Sequence, residues 1–149
     1  QRSSVSVQEK ACGAIWQLAE NEHNQGTLGQ QLKVGTEIVA AMKRHRASAE
    51  VQKAACSALA SLAANDRNKE ILGQELNAGK EIIAAMQAHR ANAAVQEEAC
   101  SALTNLALNG SVKTLLRRQS AAQEVKLAHE RFPSLEPAKR AHSKLKSFF

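Results

Sequence analysis

The sequence predicts an all-α protein organised as an α-solenoid, and two observations carry that prediction. One phrase occurs three times: VQEKACGAIWQLA from Val7, VQKAACSALASLA from Val51 and VQEEACSALTNLA from Val95. The period is 44, and residues 7–50 match 51–94 at 23 of 44 positions with no gap. Periods of about 40–47 residues belong to stacked helical units, none of which can bury its apolar side alone. The second observation is spacing within the phrase. Val95, Ala99, Ala102, Leu103 and Leu106 recur at steps of three and four, the signature of a helix with one apolar stripe.

Each element follows in order. Ser6 with Glu9 has the spacing of a capping box at the start of the first long helix. Asn21, Asn65 and Asn109 stand where the three long helices should close. A short helix is expected over 68–76 and, after Gly79, a medium one over 80–89 with Ile82, Ile83 and Met86 inward. Each unit is therefore three helices. His45-Arg46 and His89-Arg90 end successive medium helices, where cations suit the negative helix terminus. At the far end a shift of 43 aligns Glu124-Val125 with Glu81-Ile82, and 138–149 falls where a fourth long helix should be. Lys139, Arg140, Ser143 and Lys144 spoil its core pattern, so it reads as a degenerate cap. Ala138, Ala141, Leu145, Phe148 and Phe149 share one side of that cap, with Arg140, Lys144 and Ser147 opposite. The Phe pair is expected to cover Leu103 and Leu106. The division is one domain over 1–149, with units 7–50, 51–94 and 95–138 and a basic amphipathic cap at 139–149.

Composition bounds the function. The chain has 149 residues and a net charge of +6, with nine Lys/Arg against five Asp/Glu from residue 95 onward. Its end is basic through Lys139, Arg140, Lys144 and Lys146. With one Trp, three Phe and no Tyr, the stacking platforms of single-strand readers are missing. No apolar run reaches the ~18 residues of a membrane span, though surface contact is left open. Gln1 at the start implies a processed chain or a piece of a longer one, so any targeting segment is out of view.

Cys12, Cys56 and Cys100 lie 44 apart, at one equivalent position. Neighbouring helices are ~8–10 Å apart and a disulfide needs Cα atoms within ~7 Å, so they are expected as separate buried thiols. That points to a reducing, intracellular compartment, the cytoplasm first, with organelle import left open. No CxxC, Cys/His pair, HExxH, nucleophile elbow or phosphate loop occurs, so no metal, cofactor or catalysis is expected. Asn109-Gly110-Ser111 matches a glycosylation acceptor but reads first as a helix end and turn.

At this resolution the repeated phrase resembles the third helix of the armadillo repeat, and the Ala-Gly break before KEIIAAM resembles the start of its second helix. The resemblance spans roughly 5–138. It implies a right-handed superhelix whose third helices line a concave groove for partner proteins.

On that reading the groove ladders are Glu9, Gly13, Gln17; Lys53, Ser57, Ser61; and Glu97, Ser101, Asn105, spaced by four and facing away from the core. Trp16, with Ala60 and Thr104 at the equivalent places, stands one step round. Relatives that read nuclear localisation signals carry Trp and Asn at the second and third ladder positions. Here those positions are Gly13, Ser57, Ser101 and Gln17, Ser61, Asn105, so the resemblance does not extend to that ligand. Trp16 has two readings, an anchor for a partner or a cover for the open end of the core. The expected function is a protein-interaction scaffold or structural subunit. It would bind other protein subunits, or upstream chain, through the groove and the uncovered first helix. The alternative is an electrostatic binder of nucleic acid or anionic membrane through the basic end.

Overall fold

A computed structural model describes residues 5–21, 24, 25, 27 and 34–146. Among them the regular structure is entirely helical. The helices are α1 (Val5–Ala19), α2 (Val34–Arg44), α3 (Ala49–Leu62), α4 (Asp66–Glu70), α5 (Ala78–Ala88), α6 (Ala93–Leu106), α7 (Gly110–Arg118), α8 (Ala121–Arg131) and α9 (Glu136–Lys146). A π-helical stretch, Ile71–Glu75, continues α4.

The long helices pack in series, α1 on α3, α3 on α6 and α6 on α9, forming one layer. The medium helices α2, α5 and α8 form a second series behind it. Val51, Ala55, Leu59 and Leu62 of α3 are fully buried, as are Val95, Ala99, Leu103 and Leu106 of α6. The apolar stripe is thus the core of the stack.

Polar side chains fix the turns. Ser48 and Asn92 cap α3 and α6 by accepting from Val51 N and Val95 N. The caps of these copies lie two residues ahead of the position expected from Ser6, and Ser6 itself lies inside α1. Asn65 and Asn109 likewise cap the following helix, accepting from Asn68 N and Val112 N at 3.0 Å, so they open the short helices rather than close the long ones. Asn21 accepts from Asn24 N in the same register.

Buried Gln52 donates to the carbonyls of Met42 and His45, and Gln96 repeats this on Met86 and His89. Each glutamine thereby ties the start of its long helix to the end of the preceding medium helix, where His45 O and His89 O also accept from the cap residues Ser48 N and Asn92 N. Arg46 does more than complement a helix terminus. Its Nη2 donates to Glu81 Oε1 of the next copy at 2.8 Å, and Arg90 repeats the bond on Glu124 at 2.9 Å.

Close contact between copies falls at repeated small residues. A Cβ on Gly35 would meet Leu72 Cδ2 at 2.7 Å, and one on Gly79 would meet Leu116 Cδ2 at 2.3 Å. Asn77 (φ 52°) and Ser120 (φ 71°) enter the medium helices through left-handed backbone, 43 residues apart, in the shifted register of the last copy. Ala138, Ala141 and Leu145 of α9 are fully buried, and α9 packs on α6 and α8 as the amphipathic pattern predicts. Phe148 and Phe149, with Ser147, lie outside the described residues.

Candidate protein-binding groove

Among the described residues, three depressions lie along the solvent side of the long-helix layer. The first, about 280 Å³, lies between α1 and α3 and reaches α6. Glu9, Gly13 and Trp16 form one wall, with Lys53 and Ser57 on the other. Sequence spacing brings these five together because steps of three and four keep them on one helical side. Glu50, Ala54 and Glu98 also line it. The ladder expectation reached Glu97, which is exposed, whereas its neighbour Glu98 turns into the depression.

The floor there is open. A Cβ on Gly13 would meet nothing within 4 Å. Trp16 is 40% exposed at the rim, while Gln17 points out to solvent. The Ser57 hydroxyl donates to Lys53 O at 3.0 Å, which leaves its lone pairs but not its proton for a partner.

The second depression, about 190 Å³, is lined by Ser101, Thr104, Asn105, Pro137 and Arg140. Two of its polar groups are already engaged. Asn105 Nδ2 donates to Ala60 O at 2.8 Å, and Thr104 Oγ1 donates to Cys100 O at 2.8 Å. The Asn105 amide therefore ties α6 to one of the terminal carbonyls of α3. Ala60 and Ser61 are half-buried beside that bond.

A third depression, about 510 Å³, adjoins the second through Thr104 and Arg140. Lys113, Lys139, Arg140 and Lys144 surround it with Glu136 and Ser143. Lys146, expected with them, is exposed on α9 but lines a separate depression with Lys126 and His142 on the α8 side. Burial, then the positive charges of Lys144 and Arg117, hold Lys113 below the ordinary lysine value. Lys113 comes from α7, so helical spacing within the long helices could not have found it.

The thiols lie away from this surface. Cys12, Cys56 and Cys100 are free and buried. Burial pushes Cys12 up to about 11 and Cys100 up to about 12, and it raises Cys56 as well. Such thiols are poor nucleophiles at neutral pH. Among the described residues no group of three His, Cys, Asp or Glu side chains is arranged to hold a metal. No described helix is long and apolar enough to cross a membrane.

A layer of long helices backed by a layer of medium ones, joined by short helices on a 44-residue period, defines an armadillo-type α-solenoid. A family model described as LRRK2 ARM repeat matches residues 1–131, and the chain belongs to that family. Neither the curated proteins nor the solved structures include a match. Armadillo solenoids are scaffold folds that ordinarily serve protein interaction.

Proposed function

We propose that this chain is a non-catalytic scaffold or structural subunit. It forms one solenoid domain over 1–149, with units 7–50, 51–94 and 95–138, and takes partner protein along the long-helix groove and at α1. One observation carries this reading. Of the five exposed large hydrophobics among the described residues, four (Val5, Val7, Trp16 and Leu18) lie on α1, the helix that also walls the first depression. By helical spacing Val5 and Trp16 share one side of α1 and Val7 and Leu18 the other, so exposed apolar groups stand both at the rim of the polar depression and away from it, which suits a helix covered by partner protein. The buried free thiols favour a reducing compartment, which for this chain we take to be the cytoplasm.

Site-specific photocrosslinking in the cells that make the protein tests the assignment. Crosslinkers at Gln17, Ser61 and Ser101 should yield adducts with partner protein, and those at Lys80 and Arg118, exposed in α5 and α7, should not. Adducts from the second set alone would overturn it. A second reading, an electrostatic binder of nucleic acid or anionic membrane, is favoured by the basic third depression. It predicts binding that collapses between ~50 and ~200 mM salt, which a packed protein interface does not do.

A further inference from the structure

The two ends of the groove carry opposite charge. At the α1–α3 end, Glu9, Glu50 and Glu98 line the depression against one cation, Lys53. At the α6–α9 end the balance inverts, with Lys113, Lys139, Arg140 and Lys144 against Glu136 alone. Gly110 stands where the preceding copy has Asp66, so this end has one carboxylate fewer than the repeat would give it. Burial first, and then the charges of Lys144 and of Arg117, hold Lys113 below the ordinary lysine value. A depression lined by four cations and one carboxylate is complementary in charge to an anionic partner group.

We propose that the basic depression at the α9 end docks an Asp/Glu-rich segment of a partner protein, and that the acidic α1 end fixes which way round that segment lies. The inference rests on reading the long-helix face as the partner surface. Two features favour a polypeptide as occupant. The basic depression continues into a polar one lined by Ser101, Thr104 and Asn105, so a chain can run on from it along the groove. The acidic end beyond would repel a uniform polyanion but accept the basic part of a mixed segment. The centres of the two ends are two helix spacings apart, roughly 16–20 Å. An extended chain covers that in about five or six residues. The partner segment should therefore carry an acidic cluster and a basic one about that far apart.

Synthetic peptides test this on the whole chain at ~100 mM salt, read by anisotropy and by emission of the single Trp16. The probe has about four acidic residues, a neutral spacer of about one or two, and about four basic residues, and is compared with a uniformly acidic peptide of the same length. The mixed probe should bind at least tenfold more tightly than the uniformly acidic peptide, which the acidic α1 end repels; equal binding of the two would remove any role for that end. Lys139→Glu with Arg140→Glu should weaken the preferred peptide tenfold or more. Lys80→Glu with Arg118→Glu, the same change in net charge on other exposed sites, should change it less than threefold. Far-ultraviolet circular dichroism confirms that both double variants are folded.

Equal loss from the two pairs would show a net-charge effect and overturn the proposal. So would tighter binding of a twelve-nucleotide oligouridine or of phosphatidylserine vesicles at the same residues. If groove crosslinkers capture partner yet the Lys139/Arg140 reversal leaves binding unchanged, the groove reading stands and this inference falls. Crosslinks confined to Lys80 and Arg118 would remove both.

Discussion

The first long helix and the third repeat one phrase, yet they live in different surroundings. Val7 is 55% exposed where Val51 and Val95 are fully buried, and Leu18 is 51% exposed where Leu62 and Leu106 are fully buried. The residue types are the same and the helical register is the same. What differs is the neighbour. α3 and α6 each have a medium helix packed against them and long helices on both sides, whereas α1 has α3 on one side among the described residues. Burial in a stack of repeats is thus a property of the interface between units, not of the motif. Sidedness survives at α1 all the same, because Cys12 and Ala19, which face α3, are 2% and 0% exposed.

The sharpest test of that contrast truncates the same residue in two copies. Leu106→Ala should cost about 2–5 kcal/mol, the range for a leucine removed from a closed core. Leu18→Ala should cost no more than about 0.5 kcal/mol, as surface changes do. Urea denaturation of both variants decides it. Equal losses would mean that α1 is covered in solution, by another copy or by chain outside the described residues.

Glycine gives a smaller test in which the two regions should differ in sign. A Cβ on Gly73 would meet both Cγ atoms of Val112 at 2.5 Å, and Val112 is fully buried with no room to turn away. Gly73→Ala should therefore destabilise by about 1–3 kcal/mol through overpacking. Gly13, inside α1, faces open space, so Gly13→Ala should stabilise by about 0.5–1 kcal/mol through helix propensity alone. Thermal melts of the two variants should move in opposite directions. A destabilising Gly13→Ala would mean that something already occupies the first depression.

Periodicity made the stack legible, since three copies in one register leave little choice of architecture. It also found Glu9, Gly13, Trp16, Lys53 and Ser57, because residues spaced by three and four need only their own helix to be helical. The features it missed depend on chain distant in sequence. Asn105 reads as a free groove amide until Ala60 O, 45 residues earlier, is brought beside it. Lys113 enters the basic depression from a short helix with a different register. Asn65 and Asn109 end one helix and start the next within a single turn, so composition alone could not say which end they cap. The π-helical stretch has no sequence signal that periodicity can read. Its unit is held by Leu76 N donating to Ile71 O at 2.9 Å.

The covered end of the stack offers the last contrast. His129 of α8 and His142 of α9 stack with ring centroids 5.3 Å apart, and the Nδ1 atoms of both are buried. Burial lowers the His142 ionisation, and the positive charges of Lys146, His129 and Lys126 lower it further, against an opposing pull from Glu130. A histidine with a depressed folded-state value favours the folded form when neutral. That contribution is whole above the unfolded value of about 6.5 and is lost as pH falls through it toward the folded value. α9 should therefore loosen between pH 7.5 and 5.5, while α1, which has no histidine, should not respond. Hydrogen exchange should show falling protection at Ala141 and Leu145 over that range and steady protection at Cys12 and Ala19. His142→Gln keeps a polar side chain of similar reach but cannot charge, so it should flatten the response at α9. An unchanged response in that variant would assign the pH dependence to another group, and a matching loss at α1 would show that the two ends are not independent.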